Sequence, residues 1–235
     1  MFHLFQKSAH YNGSDYILPV QAQLKAWRKA NRKMKWGISE DEFAAVDTTP
    51  ALSEQDRADG FIGSLLSYGF GEDGSGHADA VLSGKLAWDY AEKYLHRKTW
   101  QCQYIDLKKS DYFRLRPRAP MRPKGFYFVK FKPGDGLLRH TVANFRKALS
   151  SGGDTGCGPE GIQMVAITHY PHVAKLMDER KIALMAFADY DVAPYGFNDF
   201  FDALQMFCSS GVLGLGIGNV DHDYPMFGIP VLRFF

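Results

Sequence analysis

IQMVAITHYPHVAKLMDERKIALMAFADYDV, residues 162–192, decides how this chain's fold is read. IQMVAIT (162–168) and IALMAFA (182–188) are nearly continuous apolar runs of strand length, the pattern of strands covered on both faces. PHVAKLMDERK between them has a helical composition. Pro171 suits a first helical position, where its missing N–H would be unpaired anyway. A strand, a helix of about ten residues and a second buried strand predict a parallel pair joined by a right-handed crossover.

Toward the C-terminus, Phe197, Phe200, Phe201, Leu204 and Cys208 recur on one helical face, with Gly211 as the cap. VLGLGIG (212–218) reads as a further strand and FGIPVLRFF (227–235) as the last, with Pro230 confined to an edge or a bulge. Toward the N-terminus, WQCQYIDL (100–107) and GFYFVKFK (125–132) have strand composition, and RLRPRAPMRPK (114–124) is a proline-stiffened, extended connection between them. Leu138, Val142, Phe145 and Leu149 return to helical spacing. The first hundred residues read as helical: VQAQLKAWRKANRKMKW (20–36) ends before Gly37, SEQD (53–56) has the form of a capping box, and Val81, Trp88, Ala91 and Leu95 make one stripe.

The fold expected is therefore α/β (or α+β), a mixed, largely parallel sheet with helices on its faces over 98–235. A helical region, 1–97, packs on that sheet. No repeat, low-complexity block or flexible linker separates the two parts, so one compact unit is expected.

With 46% apolar and 14% aromatic residues, the 235-residue chain has ample material for a core. No apolar run approaches the roughly 20 residues of a membrane span, and MFHLFQKSAHYNGSDY lacks the layout of a signal peptide. The expectation is a soluble, cytoplasmic protein with no membrane partner. Cys102, Cys157 and Cys208 are odd in number and far apart, which suits reduced structural thiols rather than disulfides or a thiolate zinc site.

Two glycine-rich stretches invite a nucleotide reading, and neither sustains it. GLGIGN (214–219) is followed by only 16 residues containing Pro225 and Pro230, so the helix and distant acid of a dinucleotide fingerprint have no room, and no dinucleotide is expected. Alternation instead puts Gly214, Gly216 and Gly218 on one bare strand face, which a helix, an aromatic ring or a ligand can approach, helix packing being the commonest cause. SSGGDTGCGPEG (150–161) lacks GK[ST] and precedes a strand rather than a helix, so it reads as a mobile loop.

The chemistry-bearing residues follow the apolar runs. Thr168-His169-Tyr170-Pro171-His172, Asp189-Tyr190-Asp191, and Asn219 with Asp221, His222 and Asp223 each come directly after one of them. If those runs are parallel strands, all three segments face the carboxyl rim, where open sheets bind ligands. Imidazole and carboxylate together suit zinc, manganese or iron, and a metal there would acidify a bound water. Asp189, Asp191, His222 and His169 are the candidate ligands of a divalent metal ion. His169, His222 and Asp221 are the candidate catalytic groups, with histidine as general base and an aspartate fixing its tautomer. The competing reading makes these residues turn and capping groups.

Charge is unevenly spread. Six basic residues and no acid lie between Lys25 and Lys35, and nine basic residues against Asp111 alone between Lys108 and Lys132. From Asp189 onward there are six aspartates and only Arg233. Arg114, Arg116 and Arg118, with His172, are candidate substrate-binding residues for an anion. The arginine segment could equally lie against the acidic C-terminal region and neutralise it. The leading functional expectation is a metal-assisted hydrolase of a phosphorylated or nucleotide-like substrate. The alternatives are a non-catalytic nucleic-acid-binding module using segments 25–35 and 108–132, with aromatic rings for stacking, and a partner-binding protein without chemistry.

Overall fold

The computed structural model describes residues 16–46, 48–71, 77–95, 98–103, 105, 113–134, 140–149, 153–193, 200 and 202–235. The helical opening begins with α1 (Val20–Met34), whose Gly- and Pro-free sequence supports a full-length helix that closes on Lys35 in the left-handed conformation. Two short helices, α2 (Glu40–Ala44) and α3 (Glu54–Ala58), each start on a capping box. The SEQD box is made as expected, Asp56 reaching back to the Ser53 N–H at 2.9 Å. Helix α4 (His77–Tyr94) buries Val81, Trp88 and Ala91.

The all-helical reading of residues 1–97 fails at β1 (Gly63–Gly69), which pairs antiparallel with β4 (Gly125–Lys132). This strand is tied to α1 by Gln23, whose amide donates to the Ser64 carbonyl and accepts from the Leu66 N–H. A boundary at residue 97 therefore cuts through a sheet. The first sheet has the order β1-β4-β10-β5, with β5 at Asp154–Gly156 and β10 at Val231–Phe234, and every pairing in it is antiparallel.

The second sheet has the order β2-β8-β7-β6-β3. Its strands are β2 (Lys98–Gln101), β3 (Phe113–Leu115), β6 (Leu184–Val192), β7 (Asp202–Ser209) and β8 (Val212–Asn219), and the two-residue β9 (Phe227–Gly228) pairs with β6. Only β2–β8 and β6–β9 are parallel; β3–β6, β6–β7 and β7–β8 are antiparallel. The fold is mixed α/β with mixed and antiparallel sheets, which corrects the largely parallel expectation.

Two misreadings produced that expectation. IQMVAIT is helical: α5 (Val142–Ala148) and β5 lead into α6 (Pro159–Gln163), which continues as a π-helical turn over Met164–Thr168, with every side chain buried. A helix buried all round is as uniformly apolar as a strand covered on both faces, so periodicity cannot separate the two. The residues from Asp202 to Cys208 are strand rather than helix, and Ser210 and Gly211, both at positive φ, turn that strand back on itself as a hairpin. PHVAKLMDERK does form a helix, α7 (His172–Asp178).

The bare glycine face of β8 is covered by its neighbour strands. A side chain at Gly214 would collide with the Phe207 ring and one at Gly218 with the Gln205 amide, while Trp100 of β2 stands 5.8 Å from Phe207. An aromatic ring and an amide, rather than a helix, are what Gly214 and Gly218 admit. No described helix is long and apolar enough to cross a membrane.

Candidate functional site

The second sheet brings two of the three expected segments to one rim. Both β6 and β8 run antiparallel to β7, so they share a direction, and the register aligns Val192, Asp202 and Asn219 across the three strand ends. At about 5 Å per strand, the ends of β6 and β8 lie about 10 Å apart. The pairing of β6 with β7 is interrupted between Phe187 and Val192. Freed from β7, this stretch bonds elsewhere: the Asp189 N–H donates to the Cys157 carbonyl, the Asp189 carbonyl accepts from the Arg116 N–H, and Arg114 and Leu115 of β3 pair with Asp191 and Tyr190. Such bulges re-aim side chains beside functional sites.

Asp189, fully buried, accepts four hydrogen bonds, two on each oxygen. Oδ1 takes Arg116 Nη2 at 3.3 Å and the Gly156 N–H at 3.1 Å. Oδ2 takes Arg122 Nη2 at 3.0 Å and the Thr155 hydroxyl in a short contact. Glu160 is filled in the same way by Arg122 Nε and the Tyr127 hydroxyl, both at 2.8 Å, together with Arg122 Nη2 and the Gly158 N–H. Asp191 meets Arg146 Nη2 at 3.0 Å and Arg114 Nε at 3.5 Å. Burial opposes the charge on Arg122, but Glu160 and Asp189 outweigh it and hold the guanidinium more firmly protonated than usual. Burial, followed by the nearby Glu160, raises the pKa of Tyr127, Tyr190 and Cys157 well above their ordinary values, so these groups stay neutral.

This donor set does not fit a divalent ion. Two oxygens with four protein donors have no lone pair left for a metal, and an adjoining guanidinium repels a cation. Among the described residues no group of three or more His, Cys, Asp and Glu is placed to hold a metal. The arginine segment instead lies against the acidic strand: Arg114 and Arg116, expected to meet a substrate, are the ion-pair partners of Asp191 and Asp189, expected to be metal ligands.

Of the remaining expected residues, His169 and His172 lie away from the rim, and Asp221 and His222 occupy the exposed turn beyond β8. His169 is fully buried in the helical layer, where Nε2 accepts the Leu18 N–H at 3.0 Å, so the ring proton sits on Nδ1 and points to the Thr168 hydroxyl at 2.7 Å. Burial, aided by the nearby His172, pushes its pKa down to about 3. With both nitrogens engaged it has no free lone pair to act as a base. His172 opens α7 near His169 rather than at the rim. Asn219, Asp221 and His222 form a turn in which Asn219 Oδ1 accepts the Asp221 N–H at 2.9 Å and the Asn219 carbonyl accepts the His222 N–H. Asp221, His222 and Asp223 are exposed there, and Arg118 is exposed in the turn after β3.

Sequence reasoning missed Arg146, Thr155, Tyr127 and Glu160. Glu160 lies in the glycine-rich stretch expected to be a mobile loop; 154–156 is in fact strand β5, 159–163 is helix α6, and Cys157 between them is fully buried.

Four guanidiniums, of Arg114, Arg116, Arg122 and Arg146, thus face three carboxylates. Arg116 Nε is buried and has no hydrogen-bond partner among the described residues. Arg114 is the most open of the four, its side chain 45% exposed and its guanidinium carbon 3.6 Å from the centre of the Phe200 ring. Arg146, anchored on the Ala188 and Tyr190 carbonyls, holds its proton less tightly than usual because of burial, which outweighs the help of Asp191, and because of Arg116 nearby. Matched against known proteins, the chain finds no family model, no curated protein and no solved structure at a significant level.

Proposed function

We propose that the rim formed by β3, β6 and α5 binds a small phosphorylated ligand, with Arg114, Arg116 and Arg146 as its cationic wall and Asp189 and Asp191 holding those arginines in place. The observation that carries the reading is the buried Nε–H of Arg116, unpartnered among the described residues, in a cluster that there holds one guanidinium more than its carboxylates. A buried donor without an acceptor costs about 1–3 kcal/mol, and an anion that accepts it recovers that cost. Guanidinium forks match phosphate oxygens in pairs, whereas a cation in the same place would face only repulsion. The reading therefore keeps the phosphorylated ligand and replaces metal-assisted hydrolysis with recognition.

Thermal melting with inorganic pyrophosphate at constant ionic strength tests it. Pyrophosphate at 100 times its dissociation constant should stabilise the protein by about 2.7 kcal/mol, more than matched sulfate or chloride does. Arg114→Ala and Arg116→Gln should each remove the shift. An equal response to all three salts, or stabilisation by magnesium or zinc that Asp189→Asn abolishes, would overturn it in favour of a non-specific salt effect or a metal site.

A further inference from the structure

The helical layer carries a second feature, independent of the rim. Between α1, α4 and the π-helical turn lies a cleft of about 110 Å³, bordered by Lys29, Tyr90, Tyr94 and Tyr170 and narrowed to methyl groups at Ala26 and Ala166. A cavity of roughly 150 Å³ encloses a benzene molecule, so this smaller cleft, which is not fully enclosed, admits a single flat ring part-way and edge-first. Two ammonium groups converge on the Tyr94 ring, Lys33 Nζ at 4.7 Å and Lys93 Nζ at 5.3 Å from its centre. The Tyr94 hydroxyl donates to the Lys33 carbonyl at 2.9 Å, which fixes the ring.

Among the described residues no carboxylate lies within ion-pair distance of Lys29, Lys33 or Lys93. Three acids of the adjoining helices are engaged elsewhere: Glu40 with Arg28, Asp89 with Lys85, and Glu92 with the Trp88 indole. Lys25, Lys29 and Arg32 follow one another at i, i+4 and i+7 along the exposed side of α1. Trp27 of α1 is not the stacking surface, since it is fully buried in an aromatic cluster with Trp36, Tyr68, Phe70 and Phe126. The tyrosines of the cleft take that place.

We infer that this cleft binds single-stranded nucleic acid, one base entering between the tyrosines while Lys29, Lys33 and Lys93 hold the phosphates on either side. Unpaired lysines around an aromatic slot of one-ring size are what such a ligand needs: charge for the backbone and a ring surface for a base of any sequence. An acidic peptide would match the lysines but leave the slot unfilled.

Fluorescence anisotropy of the intact protein with a labelled oligo(dT) tests the inference, alongside an abasic strand of equal length. The abasic strand should bind roughly tenfold more weakly, as should Tyr94→Leu, while Tyr94→Phe keeps wild-type affinity. The Lys29→Gln, Lys33→Gln double variant should reduce the log–log salt slope by about 1.4, the value for two phosphates of a single strand. Melting temperatures of the variants verify that they fold. Arg116→Gln should leave oligonucleotide binding unchanged, which keeps this site separate from the rim. Equal affinity for the abasic strand, a flat salt response, or polyglutamate competing as well as oligo(dT) would overturn it.

Discussion

His169 illustrates how a residue type can suggest chemistry that its surroundings rule out. A histidine beside an apolar run looks like a base or a ligand, yet here the imidazole replaces a backbone acceptor, taking the Leu18 N–H and thereby joining the start of the described chain to the π-helical turn. The cost of burial falls on its charged form, and its pKa drops to about 3. In the unfolded chain the ring titrates near its ordinary value of about 6.5, so below that pH the unfolded state takes up a proton that the folded state refuses. The stabilising contribution of His169 is complete above about pH 6.5 and declines as the pH falls toward 3. Urea denaturation at pH 7 and pH 5 should show a loss of about 2 kcal/mol from this group, with His169→Gln removing that part of the pH dependence. At this scale the sequence allowed a correct pairing to be stated, arginine segment against acidic strand, because opposite charges in excess must find each other. Thr155 and Glu160 were invisible, since a lone threonine and glutamate in a glycine-rich stretch carry no periodic signal.

Helices and strands with a distinct outer face were legible: α1, α4, β4 and α7 all form where their composition or spacing placed them. Of the elements buried on every side, β6 forms where its apolar run placed it, but the run before it does not form the strand expected. The helical run through Met164–Thr168 is buried on all sides and mimics a strand. Residues 202–208 hide a strand beneath a coincidental helical spacing of Leu204 and Cys208, and the decisive signal was the Ser210-Gly211 pair between two strand-length segments. Their φ angles of 51° and 75° are those of a tight hairpin turn, which only glycine adopts without steric cost. Gly211→Ala should therefore destabilise the protein by about 1–2 kcal/mol, as read from the urea midpoint, although a side chain there would meet no neighbouring atom. A helix cap at the same position would predict much the same penalty. A second variant, Gly214→Ala, separates the two readings, because only the hairpin register puts residue 214 under the Phe207 ring and makes that change costly as well.

For the molecule as a whole, strand order was beyond sequence reasoning, because the partners of β4 and β10 come from distant parts of the chain. Arg122 shows what that order accomplishes. Its guanidinium, 7% exposed as a residue, joins Glu160 of α6 to Asp189 of β6, while Tyr127 of β4 and Thr155 of β5 complete the same network from the first sheet. One side chain thus pairs with two buried carboxylates at the junction of both sheets, with Arg116 supplying Asp189 a second positive charge. Removing a single partner from such a group strands the opposite charge, at a cost of roughly 3–5 kcal/mol. Arg122→Met should lower the midpoint of urea unfolding by that amount, with little relief from salt because the network is closed to solvent. Adding Glu160→Gln and Asp189→Asn removes both stranded charges while leaving one amide oxygen to accept from Tyr127 and one to accept from Gly156, and the new amide nitrogen at 189 can donate to the Thr155 hydroxyl oxygen, so the triple variant should regain most of the loss. If Arg122→Met proves as stable as wild type, the two sheets do not depend on this contact, and the placement of Asp189 behind the rim must be attributed to the β6 bulge alone.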